Sequence, residues 1–200
     1  TPYLLRFAER AAFAPRDPRL GVDLAGVVVA VGPGVTRFKP GDAVFGSGGG
    51  AFAEYARASE RRLAAIPAGT SFEQAAAVPV AALTALQGLR DKAQVRPGQK
   101  VLINGASGGV GTFAVQIAKA YGAEVTGVSS TRNLALVRSL GADHVIDYTQ
   151  ADFTRGPTRY DVVLDMVGNH SRAAVRRALV DDGIHVMIGG GGPDGDRWGF

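Results

Sequence analysis

The stretch Lys100-Val-Leu-Ile-Asn-Gly-Ala-Ser-Gly-Gly-Val-Gly-Thr-Phe-Ala-Val-Gln-Ile-Ala-Lys119 constrains this chain more than any other. Val101, Leu102 and Ile103 form a short apolar run, as a strand covered on both faces would. Glycines follow at 105, 108, 109 and 111, and Phe113, Val115, Ile117 and Ala118 then recur at helical spacing. The pattern is a strand, a glycine-rich turn and a helix. A helix start carries unpaired N–H groups and a partial positive charge, so it attracts phosphate. Glycines in the turn let a pyrophosphate approach the backbone closely. The motif reads Ala106-x-Gly108-x-x-Gly111, with alanine at the first glycine position and Gly105 before it. A second strand, Glu124-Val-Thr-Gly-Val-Ser-Ser130, follows Gly122. Together they predict a dinucleotide site on Gly105, Ala106, Ser107, Gly108, Gly109, Val110 and Gly111. The competing reading is a tight turn whose glycines serve packing alone.

From Lys100 onward strands and helices alternate. The strands predicted are 100–104, 124–130, 144–148, 160–167 and 184–189. Helices are predicted near 110–121, 132–140 and 170–181, stopped by Gly122, Gly141 and Gly183, and the 148–160 connection lacks a clear helix. This alternation implies an α/β fold, a doubly wound parallel sheet with helices on both faces. Residues 190–200 read as a loop. The earlier part differs. Runs at 24–32, 43–45 and 51–56, cut by turn signals at Gly32-Pro-Gly34 and Lys39-Pro-Gly-Asp42, predict an irregular, mostly antiparallel β region. Thr70-Ser-Phe-Glu73 predicts a capping box, and Pro79 the first turn of a helix running to about Leu89. The domains expected are 1–92 and 93–200.

Composition narrows the function. A hydrophobic fraction of 46% in 200 residues supports a sizeable core. The longest apolar candidate, 75–86, is broken by Pro79 and Thr84, so no membrane helix is expected. The chain has no cysteine, which excludes disulfides, thiolate nucleophiles and cysteine-held zinc within it and fits the cytoplasm. The net charge of +4 comes from scattered arginines, with Arg61-Arg62 and Arg176-Arg177 the only adjacent basic pairs. That is a solvated surface rather than a nucleic-acid stripe. His144, His170 and His185 do not cluster, and no Ser–His–Asp arrangement is implied.

Six stretches carry a resemblance. They are Gly21-Val-Asp-Leu-Ala-Gly-Val-Val-Val-Ala-Val-Gly-Pro-Gly-Val, Phe38-Lys-Pro-Gly-Asp-Ala-Val-Phe-Gly, Ala82-Leu-Thr-Ala-Leu, Asn104-Gly-Ala-Ser-Gly-Gly-Val-Gly, Leu140-Gly-Ala-Asp-His-Val-Ile-Asp-Tyr and Tyr160-Asp-Val-Val-Leu-Asp-Met-Val-Gly. In order and spacing they resemble the medium-chain dehydrogenase/reductase superfamily, nearest the zinc-free quinone oxidoreductases that include zeta-crystallin and the reticulon-interacting oxidoreductases. The resemblance implies a partial GroES-like β-domain followed by a Rossmann dinucleotide-binding domain truncated at its C-terminus, with further residues before Thr1 and after Phe200. It also implies a homodimer at full length. Zinc alcohol dehydrogenases of the superfamily carry Gly-His-Glu where this chain has Gly21-Val22-Asp23. Valine cannot ligate a metal, so no metal is expected there.

Ser129-Ser130, followed by Thr131-Arg132, stands where NAD enzymes place a carboxylate for the ribose hydroxyls. Serine hydroxyls and an arginine suit a 2′-phosphate, which favours NADP(H). Arg132 reads alternatively as an exposed first-turn arginine, and Asn133 as an ordinary helix-start residue. By resemblance Tyr148 lies near the adenine ribose-phosphate; it reads otherwise as a half-buried strand-end tyrosine. Thr84 lies in the helix that lines the nicotinamide pocket in the family, or is an ordinary helix threonine. Val167-Gly168 and Gly189-Gly190 bring backbone near the nicotinamide by analogy. Asp165 reads as structural or loop-shaping.

No strong general acid is visible, so the catalytic residues are left open. A quinone or enone accepts hydride without metal assistance, which predicts an NADPH-dependent quinone or enone reductase acting on a small molecule. Two alternatives stay open. One is an enoyl-reductase module of a polyketide or fatty-acid synthase. The other is a non-catalytic NADPH-binding, crystallin-like protein.

Overall fold

The computed structural model of the chain describes residues 20–189. The predicted loop 190–200, with Gly190, lies outside them. The chain divides into two compact units, Thr1–Val80 and Ala81–Phe200.

The first unit is a small antiparallel sheet. Strands β1 (Asp23–Val27), β2 (Ala43–Ser47) and β3 (Leu63–Ala65) pair in that order. Gly46 sits where a Cβ would stand 2.0 Å from the Arg62 carbonyl oxygen, so β2 meets the chain entering β3 at glycine distance. The strand predicted over 51–56 does not form. Those residues are mostly exposed and make only the isolated bridge Gly49–Arg57 beside them, so no neighbouring strand holds them extended. Helix α1 (Phe72–Ala76) opens with a capping box one residue later than predicted: Ser71 and Gln74 exchange the two bonds, at 3.2 and 3.0 Å. Glutamine at N3 serves the box as glutamate would. Helix α2 (Pro79–Leu86) begins at Pro79 as expected, and Asp23 Oδ2 accepts from the Val80 amide at 3.3 Å. The chain then widens into a π-helical turn, Gln87–Lys92.

The second unit holds β4 (Lys100–Asn104), α3 (Gly109–Ala120), β5 (Glu124–Ser129), α4 (Leu134–Ser139), β6 (His144–Asp147), β7 (Tyr160–Asp165), α5 (Arg172–Ala178) and β8 (Leu179–Met187). The five strands form one parallel sheet in the order β6-β5-β4-β7-β8. Side chains alternate across the pleat. Val101 and Ile103 of β4 join Ala114, Val115 and Val137 in one core, while Leu102 joins Val128, Val163 and Val175 in the other. This is the doubly wound arrangement expected, with α3 and α4 on one face and α5 on the other. The connection 148–160 contains only the short turn Phe153–Arg155, whose Phe153 fills the second core.

The last helix–strand pair differs from its expectation. Helix α5 covers Arg172–Ala178 rather than 170–181, and the strand begins at Leu179 rather than 184. Ser171 caps the helix, and Leu179 is already extended and paired with Tyr160. Gly183 is therefore not a helix stop. It lies in β8 beside the register shift between Tyr160 and Val162, where a Cβ would meet the Tyr160 carbonyl oxygen at 3.0 Å. Gly122 and Gly141 do follow helix ends, with φ of 76° and 107°. Among the described residues no helix is long and apolar enough to cross a membrane.

Gly127 sets how closely α4 rests on β5, since a Cβ there would stand 2.4 Å from Val137 Cγ1. Gly127→Ala should overpack this contact and cost about 1–3 kcal/mol. Adding Val137→Ala should recover part of that loss, so thermal melts of the two single variants and the double should be non-additive. Strict additivity would mean that the two residues do not compete for this space.

Candidate functional site

In a parallel sheet of this order the connections leaving β4 and β7 diverge to opposite faces, and a crevice opens between them at the carboxyl ends of the strands. The residues predicted for a cofactor collect along that edge, with one exception. Gly105 to Gly109 follow β4, Ser129 to Arg132 end and follow β5, Tyr148 follows β6, Val167 and Gly168 follow β7, and Gly189 follows β8. The exception is Thr84, half-buried on α2.

The turn after β4 is built from its glycines. Gly105 adopts φ +90°, and a Cβ there would touch Val167 Cγ2 at 3.0 Å. The amides of Gly105 and Ala106 donate to the Val128 carbonyl at 3.2 and 3.0 Å, which ties the turn to β5. Ala106 is buried, so the first glycine position of the motif faces the core in this chain. A Cβ on Gly111 would stand 2.1 Å from the Gly105 carbonyl oxygen, so only glycine lets α3 start this close to the strand. No side chain caps α3, and its first turn contains no acidic residue. The Gly109, Val110 and Gly111 amides therefore point out of the helix start without an intrahelical acceptor. Gly109 has open space where its Cβ would be. Uncapped amides, a positive helix end and a side-chain-free approach fit a phosphate group.

At the end of β5, Ser129 is 2% exposed, and its hydroxyl donates to the Ser130 carbonyl at 3.4 Å. Ser130 is half-buried and opens the turn Thr131–Asn133. Arg132 is exposed. Beside it lies a carboxylate that the sequence did not point out. Asp147, in register with Ser129, accepts from Thr131 Oγ1 and Gln150 Nε2 on one oxygen. Its other oxygen accepts from the Thr149 amide and hydroxyl at 2.9 and 2.7 Å. The Thr131 and Thr149 hydroxyls hold its carboxyl below the ordinary value. Four donors fill its acceptor capacity, so it shapes this corner rather than offering itself to a ribose. Tyr148, next along, is 60% exposed rather than half-buried.

After β7, Asp165 is wholly buried. Its Oδ1 accepts from Asn104 Nδ2 at 2.9 Å and from the amides of Val167 and Gly168 at 3.0 and 2.9 Å. Its Oδ2 faces His185 Nε2 at 3.6 Å. Burial pushes the carboxyl up, but the His185 ring, the two amides and Asn104 outweigh it and hold it below its ordinary value. Asn104 also donates to Asn169 Oδ1 at 3.0 Å, linking β4 to the far end of the loop. Asp165 and Asn104 thus set the shape of the 165–169 loop. Among the described residues no three His, Asp or Glu side chains gather as a metal site. A cavity of about 610 Å³ in the first unit, lined by Asp23, Val29, Phe38, Val44 and Tyr55 among others, contains none of the strand-end residues.

A Rossmann-type sheet with an uncapped glycine turn at its switch point defines a dinucleotide-binding class of fold. The family models agree: an alcohol dehydrogenase GroES-like domain matches residues 5–68, and a zinc-binding dehydrogenase domain matches residues 109–197. The chain belongs to the medium-chain dehydrogenase/reductase superfamily, whose members bind nicotinamide dinucleotides. It is 39% identical over 201 residues to 2-methylene-furan-3-one reductase of Solanum lycopersicum, covering 94% of this chain and 51% of that protein. It is 42% identical over 182 residues to the pikromycin polyketide synthase component PikAII of Streptomyces venezuelae, covering 86% of this chain and 5% of that protein. Among solved structures, CurK enoyl reductase matches with a TM-score of 0.80 at 31% identity, over 94% of this chain and 59% of that one. A quinone oxidoreductase of Pseudomonas syringae pv. Tomato DC3000 matches with a TM-score of 0.78 at 36% identity, over 94% of this chain and 62% of that one. The chain thus spans about half the length of the tomato reductase and a small part of the synthase.

The lowered proton affinity of Asp165 has a pH signature. The unfolded chain takes up this proton first, so stability from this group is full above the ordinary aspartate range and lost as pH falls through it. Melting temperature should fall below roughly pH 4, and Asp165→Asn should show a shallower fall from a lower starting stability. Parallel curves for the two proteins would show that the carboxylate is not held this way.

Proposed function

We propose that the intact protein is an NADPH-dependent, zinc-independent oxidoreductase that transfers hydride to a quinone or an α,β-unsaturated carbonyl. One observation carries the cofactor part: the uncapped start of α3 stands beside a β5 end that offers Ser130 and Arg132, while the nearby Asp147 carboxylate is saturated. Bound there, the nicotinamide supplies the hydride. The residues of this chain do the rest. The Gly109–Gly111 amides hold the pyrophosphate. Ser130 and Arg132 take the 2′-phosphate, with Tyr148 against the adenine side. The Val167–Gly168 backbone, fixed by Asp165, and Gly189 border the nicotinamide. Thr84 lines the same pocket from α2. In this reading residues 1–92 are the substrate side, 93–200 the cofactor side, and the working form is a homodimer.

The acceptor class is supported by chemistry and kinship. Among the described strand-end residues the carboxylates Asp147 and Asp165 are engaged by hydroxyl, amide and carboxamide donors, and a quinone or enone, once reduced, can take its proton from solvent. Relatives named above include a furanone reductase, an enoyl reductase and a quinone oxidoreductase. Zinc independence is supported by Val22, which fills the position of a histidine in the zinc enzymes. A second reading, favoured by the 42% identity to PikAII, is an enoyl-reductase module of a polyketide synthase. It keeps the same cofactor and the same hydride step, and synthase domains flanking this region in the full reading frame would identify it.

Arg132→Ala in the intact protein should raise the dissociation constant for NADPH on the order of tenfold to a hundredfold and leave NADH almost unchanged. An equal change for both cofactors would refute the 2′-phosphate assignment. Prolonged chelation should leave turnover intact, with far less than one zinc per chain. Stoichiometric zinc whose removal abolishes turnover would refute zinc independence.

A further inference from the structure

Asn133 ends the turn Thr131–Asn133, which Ser130 opens and which runs directly into α4, and its backbone is already helical. Its side-chain amide nitrogen reaches out of this turn. It donates to Ser107 Oγ at 3.1 Å and to Ser130 Oγ at 3.4 Å. These hydroxyls belong to different loops, the glycine turn after β4 and the corner after β5. One side chain thus joins the glycine turn after β4 to the corner after β5.

The contact also decides which way each hydroxyl can act. A serine hydroxyl has one proton and two lone pairs, whereas an amide NH2 group has only protons to give. Ser107 and Ser130 therefore accept from Asn133, and their own protons turn away from it. Ser129, by contrast, spends its hydroxyl on the Ser130 carbonyl. Ser107 and Ser130 are half-buried, and each keeps its O–H proton for an acceptor other than Asn133. A phosphate offers only acceptors, so two such donors on adjacent loops suit two phosphate groups of one ligand.

We infer that Asn133 is a specificity-determining positioning residue: by donating to Ser107 and Ser130 it holds both hydroxyls as donors, the first toward a pyrophosphate and the second toward a 2′-phosphate. The inference rests on the reading that the β5 corner takes a 2′-phosphate. It adds that the preference for a phosphorylated ribose depends on a side chain that touches neither phosphate. Asparagine alone among near-isosteres meets the requirement. Aspartate would accept from both serines, turn their protons inward and add a negative charge.

The test uses the intact protein and variants Asn133→Asp and Asn133→Ala. Dissociation constants would be measured for NADPH and NADH, and for 2′,5′-ADP and 5′-ADP as probes that lack the nicotinamide. Asn133→Asp should weaken NADPH and 2′,5′-ADP on the order of tenfold or more, with a smaller loss for NADH and 5′-ADP. Asn133→Ala should lower the same selectivity ratio by a lesser factor. Melting temperature without ligand separates these effects from a folding defect, which would weaken all four ligands alike and leave the ratio unmoved. A wild-type preference for NADPH that survives both substitutions overturns the inference alone. A wild type that binds both cofactors equally overturns the 2′-phosphate reading and this inference with it.

Discussion

The start of α3 lies so close to the end of β4 that a Cβ on Gly111 would overlap the Gly105 carbonyl oxygen, at 2.1 Å. The cofactor edge depends on that approach. Because the helix begins at the strand end, its first amides open onto the sheet's carboxyl edge rather than onto a connecting loop. Because Gly105 turns at positive φ, the chain reaches that position within a few residues, and its first two amides bind back to β5. The neighbouring strands then bring their own ends to the same edge in register, Asn104 with Asp165 and Ser129 with Asp147. A larger residue at 111 would move the helix and separate these elements.

Around this approach the site is held by buried or saturated polar groups. Asp165 keeps its charge in a fully buried place because backbone amides and Asn104 satisfy one oxygen and a histidine faces the other. Asp147 is exposed enough to stay ionised and is filled by hydroxyl, amide and carboxamide donors. Both carboxylates fix backbone, and that agrees with a reaction in which a bound cofactor supplies the chemistry and the protein supplies orientation.

The doubly wound sheet was legible in the sequence because its signals are local and repeated. A continuous apolar strand, a glycine turn and a helical period recur, and Gly122 and Gly141 end helices as helix-ending glycines do. Misreadings fell where tertiary context outweighs local pattern. The run 51–56 has strand-like residues but no partner strand. Gly183 resembles a helix stop, yet β8 begins at Leu179 and the glycine answers a register shift. The capping box moved by one residue because Thr70 and Ser71 both precede plausible N3 partners. Asn104, Asn133 and Asp147 each act through a partner distant in sequence, 65, 26 and 16 residues away respectively. Most of that separation is invisible to a reading by periodicity, and a polar residue closing an apolar strand was the only hint at Asn104.

The central claim is that the uncapped α3 start is the phosphate site of a bound dinucleotide. Hydrogen exchange of the intact protein with and without saturating NADPH tests it most directly, read at the individual amides of Gly109, Val110 and Gly111. Those amides have no acceptor within their own helix, so binding should slow their exchange more than that of amides already bonded inside α3. Saturation with NADPH that leaves these three amides exchanging at their unliganded rates would contradict the account.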